Sequence, residues 1–326
     1  MIRAAGCAGA AVRSRPYGVV LVVLLLNGCA GTLQSSALLK APPAGLAQPM
    51  ELSQVPFFPQ QRYQCGPAAL ATALNWSGVP VNADELVPEV YLPTRRGSLQ
   101  LEIVAAARHH GRIPYPLAGE VAALLREVEA GHPVLVLENL GLSWYPRWHY
   151  AVIVGFDLAR DLIVLRSGAQ RRERLSLEVF ERTWRRGGSW AITVTAPEDL
   201  PPTAAELPYL RAVLPFEETG QWGTAARAYA AARRRWPHSI GAAMGLGNSR
   251  YALQDYPAAA EAFRTLLADH PGYGPALNNL AETLAASGDL VSAEAYARAA
   301  VEAGGDEQGV YRQTLRAIQD RLSRLP

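Results

Sequence analysis

VPFFPQQRYQCGPAALATALN, Val55–Asn75, places one cysteine at the threshold of an apolar-periodic segment. Ala68, Ala69, Leu70, Ala73 and Leu74 recur at helical spacing. Pro56 and Pro59 and the polar run from Gln60 to Gln64 cannot continue that helix backwards, so Cys65 is expected at its N-terminus. A thiol there meets the positive end of the helix dipole, which favours the thiolate, and the thiolate is the nucleophile. Gly66 lets other groups approach the sulfur closely. The competing reading is a buried structural cysteine, the usual fate of this residue type.

Around eighty residues on stands WHYAVIVGF, Trp148–Phe156. The pairing of Q-x4-CGPAAL with HYAVIVG resembles the papain-like bacteriocin-processing (double-glycine) cysteine peptidase family, over Val55 to Val194. The resemblance implies that Cys65 attacks, that His149 on a strand acts as base, and that Gln60 stabilises the oxyanion. Gln60 stands five residues before the cysteine where many relatives have six, and Gln61 and Gln64 compete for its role. Where relatives carry an aspartate that orients the histidine, this chain reads Leu165-Arg166-Ser167-Gly168, so Ser167 takes the approximate position. A serine can orient an imidazole but cannot stabilise imidazolium as a carboxylate does. Asp157 and Asp161 read as turn residues.

The elements around these motifs predict helices at Asn82–Val90, from Ser98 through LQLEIVAAARHHG, and at Glu120–Ala130. Short runs rich in Val, Ile and Leu then predict strands from His132, His149–Phe156, Asp161–Arg166 and Ser189–Val194. Helices followed by antiparallel strands make an α+β domain, residues 53–196, and that order matches the papain-like cysteine peptidase plan the resemblance implies. The aromatic loop Leu142–Trp148 precedes His149 and suggests apolar or aromatic side chains near a scissile bond. His109 and His110 sit at a helix end and His132 in a turn, and all three read as structural. Their spacing matches no metal-site pattern, so neither metal nor cofactor is expected.

Ahead of this domain, Arg3, Arg13 and Arg15 precede the apolar run Gly18–Leu26, too short to span a bilayer and suited to a signal peptide, residues 1–28. Leu26-Asn27-Gly28-Cys29 resembles the bacterial lipobox, which implies lipidation at Cys29 and a membrane anchor. Ala30 after the cysteine resembles outer-membrane lipoproteins, which implies the periplasmic face of that membrane in the bacterial cell envelope. Cys7 would leave with the signal and Cys29 would be blocked, so Cys65 is the one free thiol expected, which argues for function. Residues 29–52 read as a flexible tether of about 25 Å. Of 31 basic residues three fall in the signal, leaving 28 against 29 acidic ones; that balance excludes a nucleic-acid surface.

After a proline-rich linker, 197–207, the chain repeats with a period of 34. Gly220, Gln254 and Gly288 align, as do Trp222, Tyr256 and Leu290, then Ala225, Ala259 and Ala293. Tyr229, Phe263 and Ala297 share a register, and so do Pro237, Pro271 and Gly305. This resembles the tetratricopeptide repeat, and implies an all-α solenoid over residues 208–326 with Gln308–Arg324 as a capping helix. Such a stack is expected to present a surface to a protein partner or substrate, against the plainer reading of a stable appendage. The whole is expected to be a lipid-anchored cysteine peptidase acting on a peptide or protein. An acyltransferase using the same thiol, or a non-catalytic peptide-binding lipoprotein, are the alternatives.

Overall fold

Helix α1 (Gln34–Lys40) leads the chain in the computed structural model, which describes residues 33–60 and 63–324. The signal peptide and Cys29 lie outside those residues. From residue 33 the segment expected to be a free tether is instead docked. The backbone N–H groups of Gln34 and Ser35 donate to the buried carboxylate of Glu181, at 2.9 and 2.7 Å. A carboxylate satisfied by the amides of a helix's first turn is a stabilising arrangement. Leu38 and Leu46 are buried, and β1 (Met50–Glu51) pairs with Phe156 and Gly155. Apolar side chains at these three points hold the segment to the domain, where the composition alone showed no periodicity.

Then follow α2 (Cys65–Trp76), α3 (Ala83–Val90), α4 (Gln100–His109), β2 (Ile113–Pro116), α5 (Val121–Glu129), β3 (Val134–Asn139) and β4 (Trp148–Asp157). The domain closes with β5 (Leu162–Ser167), β6 (Gln170–Leu175), α6 (Leu177–Arg186) and β7 (Ala191–Thr195). Seven strands form one antiparallel sheet in the order β2-β7-β3-β4-β5-β6, with β1 on β4. Central strands β3, β4 and β7 are buried on both faces because helices cover the sheet, hence their near-continuous Val, Ile and Leu. Edge strand β6, QRRERL, is largely exposed and arginine-rich, which blunts its free edge against pairing with another chain. It escaped sequence reading because it has no apolar face. Strand β2, IPYP, escaped for its two prolines, which an edge strand tolerates.

The repeat region consists of three helix pairs and a cap. The pairs are α7 (Glu206–Glu218) with α8 (Trp222–Arg235), α9 (Ile240–Ala252) with α10 (Tyr256–Asp269), and α11 (Gly274–Ser287) with α12 (Leu290–Ala303). The cap is α13 (Gln308–Leu322). The aligned Gly220, Gln254 and Gly288 take φ of +72°, +61° and +97°, so each pair turns through a left-handed residue. Ala225, Ala259 and Ala293 are fully buried between helices. Small residues also face large ones: a Cβ on Gly245 or Gly247 would lie 2.4 Å from the rings of Tyr229 and Phe263.

The two regions are not separate bodies. One hydrophobic core runs from the sheet helices through Tyr209, Val213 and Phe216 to Ala225, Tyr229 and Ala242. The proline-rich linker is pinned as well. Thr203 donates its N–H to Glu127 at 3.0 Å, the N–H of Ala205 donates to the Tyr115 hydroxyl at 3.1 Å, and His132 bridges Glu127 and Asp199 at 2.8 and 3.0 Å. Burial pushes the His132 imidazole down, but its hydrogen bonds to Asp199 and Glu127 outweigh this and raise it to about 9.

Candidate active site

Cys65 is the first residue of α2, after Gln64 at the N-cap. The chain reaching it is held from outside. The buried guanidinium of Arg166, on β5, donates to the carbonyls of Ser53 and Val55 at 3.1 and 3.2 Å, and the N–H of Gln60 donates to the carbonyl of Gly168 at 3.0 Å. Gly66 cannot be larger: a Cβ there would come within 2.2 Å of the Ser98 hydroxyl. The nucleophile candidate is thus positioned by β5 on one side and the α3–α4 connection on the other.

Tyr150 is where these parts meet. Its N–H lies against the Cys65 sulfur, together with the N–H groups of Gly66 and Cys65 itself. Its carbonyl accepts the side-chain amide of Gln60 at 3.3 Å. One residue earlier on β4, His149 bonds through Nε2 to Ser167 Oγ at 2.9 Å. Gln60, Cys65, His149 and Ser167, spread over more than a hundred residues, therefore converge on one end of the β4–β5 pair. Gln64 makes no side-chain capping bond, Asp157 caps the following turn and Asp161 accepts the N–H of Leu177. Gln61 lies outside the described residues.

The electrostatics depart from expectation. Burial pushes the Cys65 thiol up, only partly offset by the backbone N–H groups of Tyr150, Gly66 and Cys65, so the thiolate is disfavoured despite its place at the helix N-terminus. Burial likewise pushes His149 down, against the pull of Glu173. Thiol and imidazole both rest neutral. Among the described residues no hydrogen bond joins them: Trp148 and Tyr150 line the cleft beside Cys65, and His149, between them on β4, bonds to Ser167.

Glu138 was missed by sequence reading. It stands directly across from His149 in the β3–β4 register, is 1% exposed, and accepts the Thr183 hydroxyl at 2.6 Å. Burial raises its carboxyl to about 7, so it holds its proton through mildly acidic pH. The one available signal was a charge ending an otherwise apolar strand, VLVLEN.

The cleft has a volume of about 540 Å³. Cys65, Trp148, Tyr150, Leu137 and Gly187 line one side, and Arg95 to Gln100 the other. Its walls combine apolar and aromatic surface with two arginines and, among the described residues, contain no carboxylate. Beyond its rim the β3–β4 connection leaves Leu142, Trp144 and Tyr145 exposed.

Comparison with known proteins bears on this arrangement. Residues 52–192 match the model of the Peptidase_C39 like family and residues 244–307 that of the tetratricopeptide repeat. No curated protein matches. Among solved structures, a putative C39-like peptidase from Bacillus anthracis aligns over 45% of this chain and 98% of its own, at 18% identity and a TM-score of 0.40. The peptidase domain of Streptococcus ComA, a bi-functional ABC transporter of a quorum-sensing pathway, aligns over 44% of this chain and 98% of its own, at 21% identity and a TM-score of 0.36. The Yersinia enterocolitica type III secretion chaperone SycD, solved with a peptide of the translocator YopD, aligns over 35% of this chain and 91% of its own, at 18% identity and a TM-score of 0.33.

Proposed function

We propose that this chain, a C39-like peptidase fold followed by tetratricopeptide repeats, is a cysteine peptidase of the bacterial cell envelope. The observation that supports this most is the convergence on Tyr150. The backbone of that residue touches the Cys65 sulfur and the Gln60 amide, while its neighbour His149 is oriented by Ser167.

In the proposed reaction His149 takes the Cys65 thiol proton as the sulfur attacks a peptide carbonyl bound in the cleft. The oxyanion accepts the Cys65 N–H and the Gln60 amide. The imidazolium returns the proton to the leaving amine, and water hydrolyses the resulting thioester. Because the resting pair is neutral, the proton moves only as the carbonyl is attacked. Ser167 fixes the ring but carries no charge, so catalysis is slower than with an aspartate in its place.

The test is peptide cleavage followed by mass spectrometry, with iodoacetamide labelling of Cys65 against pH. A raised thiol pKa predicts labelling that is slow at neutral pH and climbs in alkali. Ser167→Asp should raise turnover by stabilising the imidazolium. Peptides that are bound but never cleaved, in wild type and Ser167→Asp alike, would replace this reading with that of a peptide-binding module. The burial-raised thiol and missing aspartate favour that second reading.

The anchor and the repeats complete the proposal. Lipidation at Cys29 would hold the enzyme at the outer membrane, and Cys29→Ser should abolish labelling by radioactive palmitate. The repeats would recruit a protein substrate or partner, since stacked helix pairs expose a continuous surface.

A further inference from the structure

Two helix ends outside the cleft meet at a set of metal-binding atoms. Glu89 is the penultimate residue of α3, and His109 and His110 are the last residue and the C-cap of α4. His109 Nδ1 lies 3.1 Å from one Glu89 oxygen and His110 Nε2 lies 3.1 Å from the other. Consecutive residues on a helix point about 100° apart, yet these two rings, with centroids 5.4 Å apart, turn to one carboxylate. Glu89 pairs with no arginine or lysine among the described residues.

We infer that Glu89, His109 and His110 form a site for a divalent transition-metal ion, zinc(II) foremost. Two imidazole nitrogens and a carboxylate suit such ions better than magnesium or calcium, which prefer all-oxygen shells. The three donor atoms lie within 4.8 Å of one another. An ion bonded at about 2.1 Å needs donors about 3.4 Å apart at the tetrahedral angle; each imidazole nitrogen already stands 3.1 Å from one of the two Glu89 oxygens, so a single ion between the rings can meet the carboxylate they share. The field favours a cation too. The C-terminal ends of α3 and α4 both reach this spot, and each carries partial negative charge.

Binding requires no net loss of protons from neutral imidazoles. The hydrogens on His109 Nδ1 and His110 Nε2 pass through solvent to the opposite ring nitrogens, leaving both lone pairs for the ion. The Glu89 and His110 side chains are 27% and 22% exposed and that of His109 is 76% exposed, so water can fill the remaining positions. A bound ion would tie α3 to α4, whose first residue, Gln100, lines the cleft.

The test titrates the full chain with zinc chloride by calorimetry in a non-coordinating buffer, and with cobalt(II) by visible absorption. One equivalent should bind, with a dissociation constant below about 10 μM, or roughly 7 kcal/mol. His109→Ala, His110→Ala and Glu89→Gln should each weaken binding by more than the about tenfold lost with even a supporting partner of a ligand. Cys65→Ser and His238→Ala should leave it unchanged. Circular dichroism checks the fold, and should Glu89→Gln fail to fold, His109→Ala, on a largely exposed ring, decides the matter. Absence of saturable binding, or binding that survives all three substitutions, overturns the site.

Discussion

The sheet region and the repeats place their contacts at different distances along the chain. In the sheet region the decisive bonds join remote residues: Gln60 to Tyr150, Arg166 to Val55, Gln34 to Glu181. In the repeats, Gly245 packs on Tyr229 and Gly247 on Phe263, contacts between adjacent helices close in sequence. The remote bonds assemble chemistry, since no local segment holds a thiol, an imidazole and an amide donor together. The local contacts build a surface that tolerates variation, since each helix pair needs only its neighbours. The first repeat belongs to both regimes, as its helices complete the sheet region's core.

The largest expected effect breaks the remote assembly at its chemistry. His149→Ala should lower kcat/KM for peptide cleavage by about 10²–10⁴-fold with melting temperature nearly unchanged. Equal activity in the variant would remove His149 from the reaction.

Next comes the packing behind it. Trp184 is fully buried, stacks on Phe180 at 5.9 Å and donates to the Trp190 carbonyl at 2.9 Å. Trp184→Ala should cost about 3–5 kcal/mol in denaturant unfolding. A cost below about 1 kcal/mol would show that the sheet region does not depend on this packing.

The junction between the regions should titrate. His132 is raised from 6.5 to about 9 in the folded chain, so its contribution is fully present below about pH 6.5 and is lost as pH rises through about 9. Asp199 is held below its ordinary value mainly by its hydrogen bond to His132, so its share is lost only in acid. The loss in alkali should stay under the roughly 3 kcal/mol of the full His132 shift, because Asp199 is largely open to solvent. His132→Gln should flatten the stability profile between those pH values, and an unchanged profile would show that the bridge does not join the two regions.

Within the repeats, Gly247→Ala should cost about 1–3 kcal/mol by driving a methyl group into the Phe263 ring. Smallest, and opposite in sign, Gln254→Gly should stabilise by about 1 kcal/mol, because Gln254 holds a left-handed conformation that glycine adopts freely. Thermal unfolding distinguishes the two directions.

Much of this molecule was legible before any coordinates. The 34-residue period located all three helix pairs, because close helix packing demands small residues at fixed intervals and a turn residue between. Apolar periodicity placed Cys65 at the start of α2, and the Val- and Ile-rich runs became the buried strands β3, β4, β5 and β7. The family resemblance also singled out Ser167, at the position where relatives carry an aspartate, and the structure puts its hydroxyl on His149. What only tertiary structure decided is electrostatic and remote. Helix position alone argued for a thiolate at Cys65, but desolvation by burial outweighs the backbone N–H groups that would favour it, and burial cannot be read from a linear chain. Glu138 opposite His149, Arg166 beneath the nucleophile segment and Glu89 between two histidines become neighbours only through strand register and helix packing. Local propensity determines which elements form, whereas the partners of a side chain depend on how distant elements pack, and that set the chemistry here.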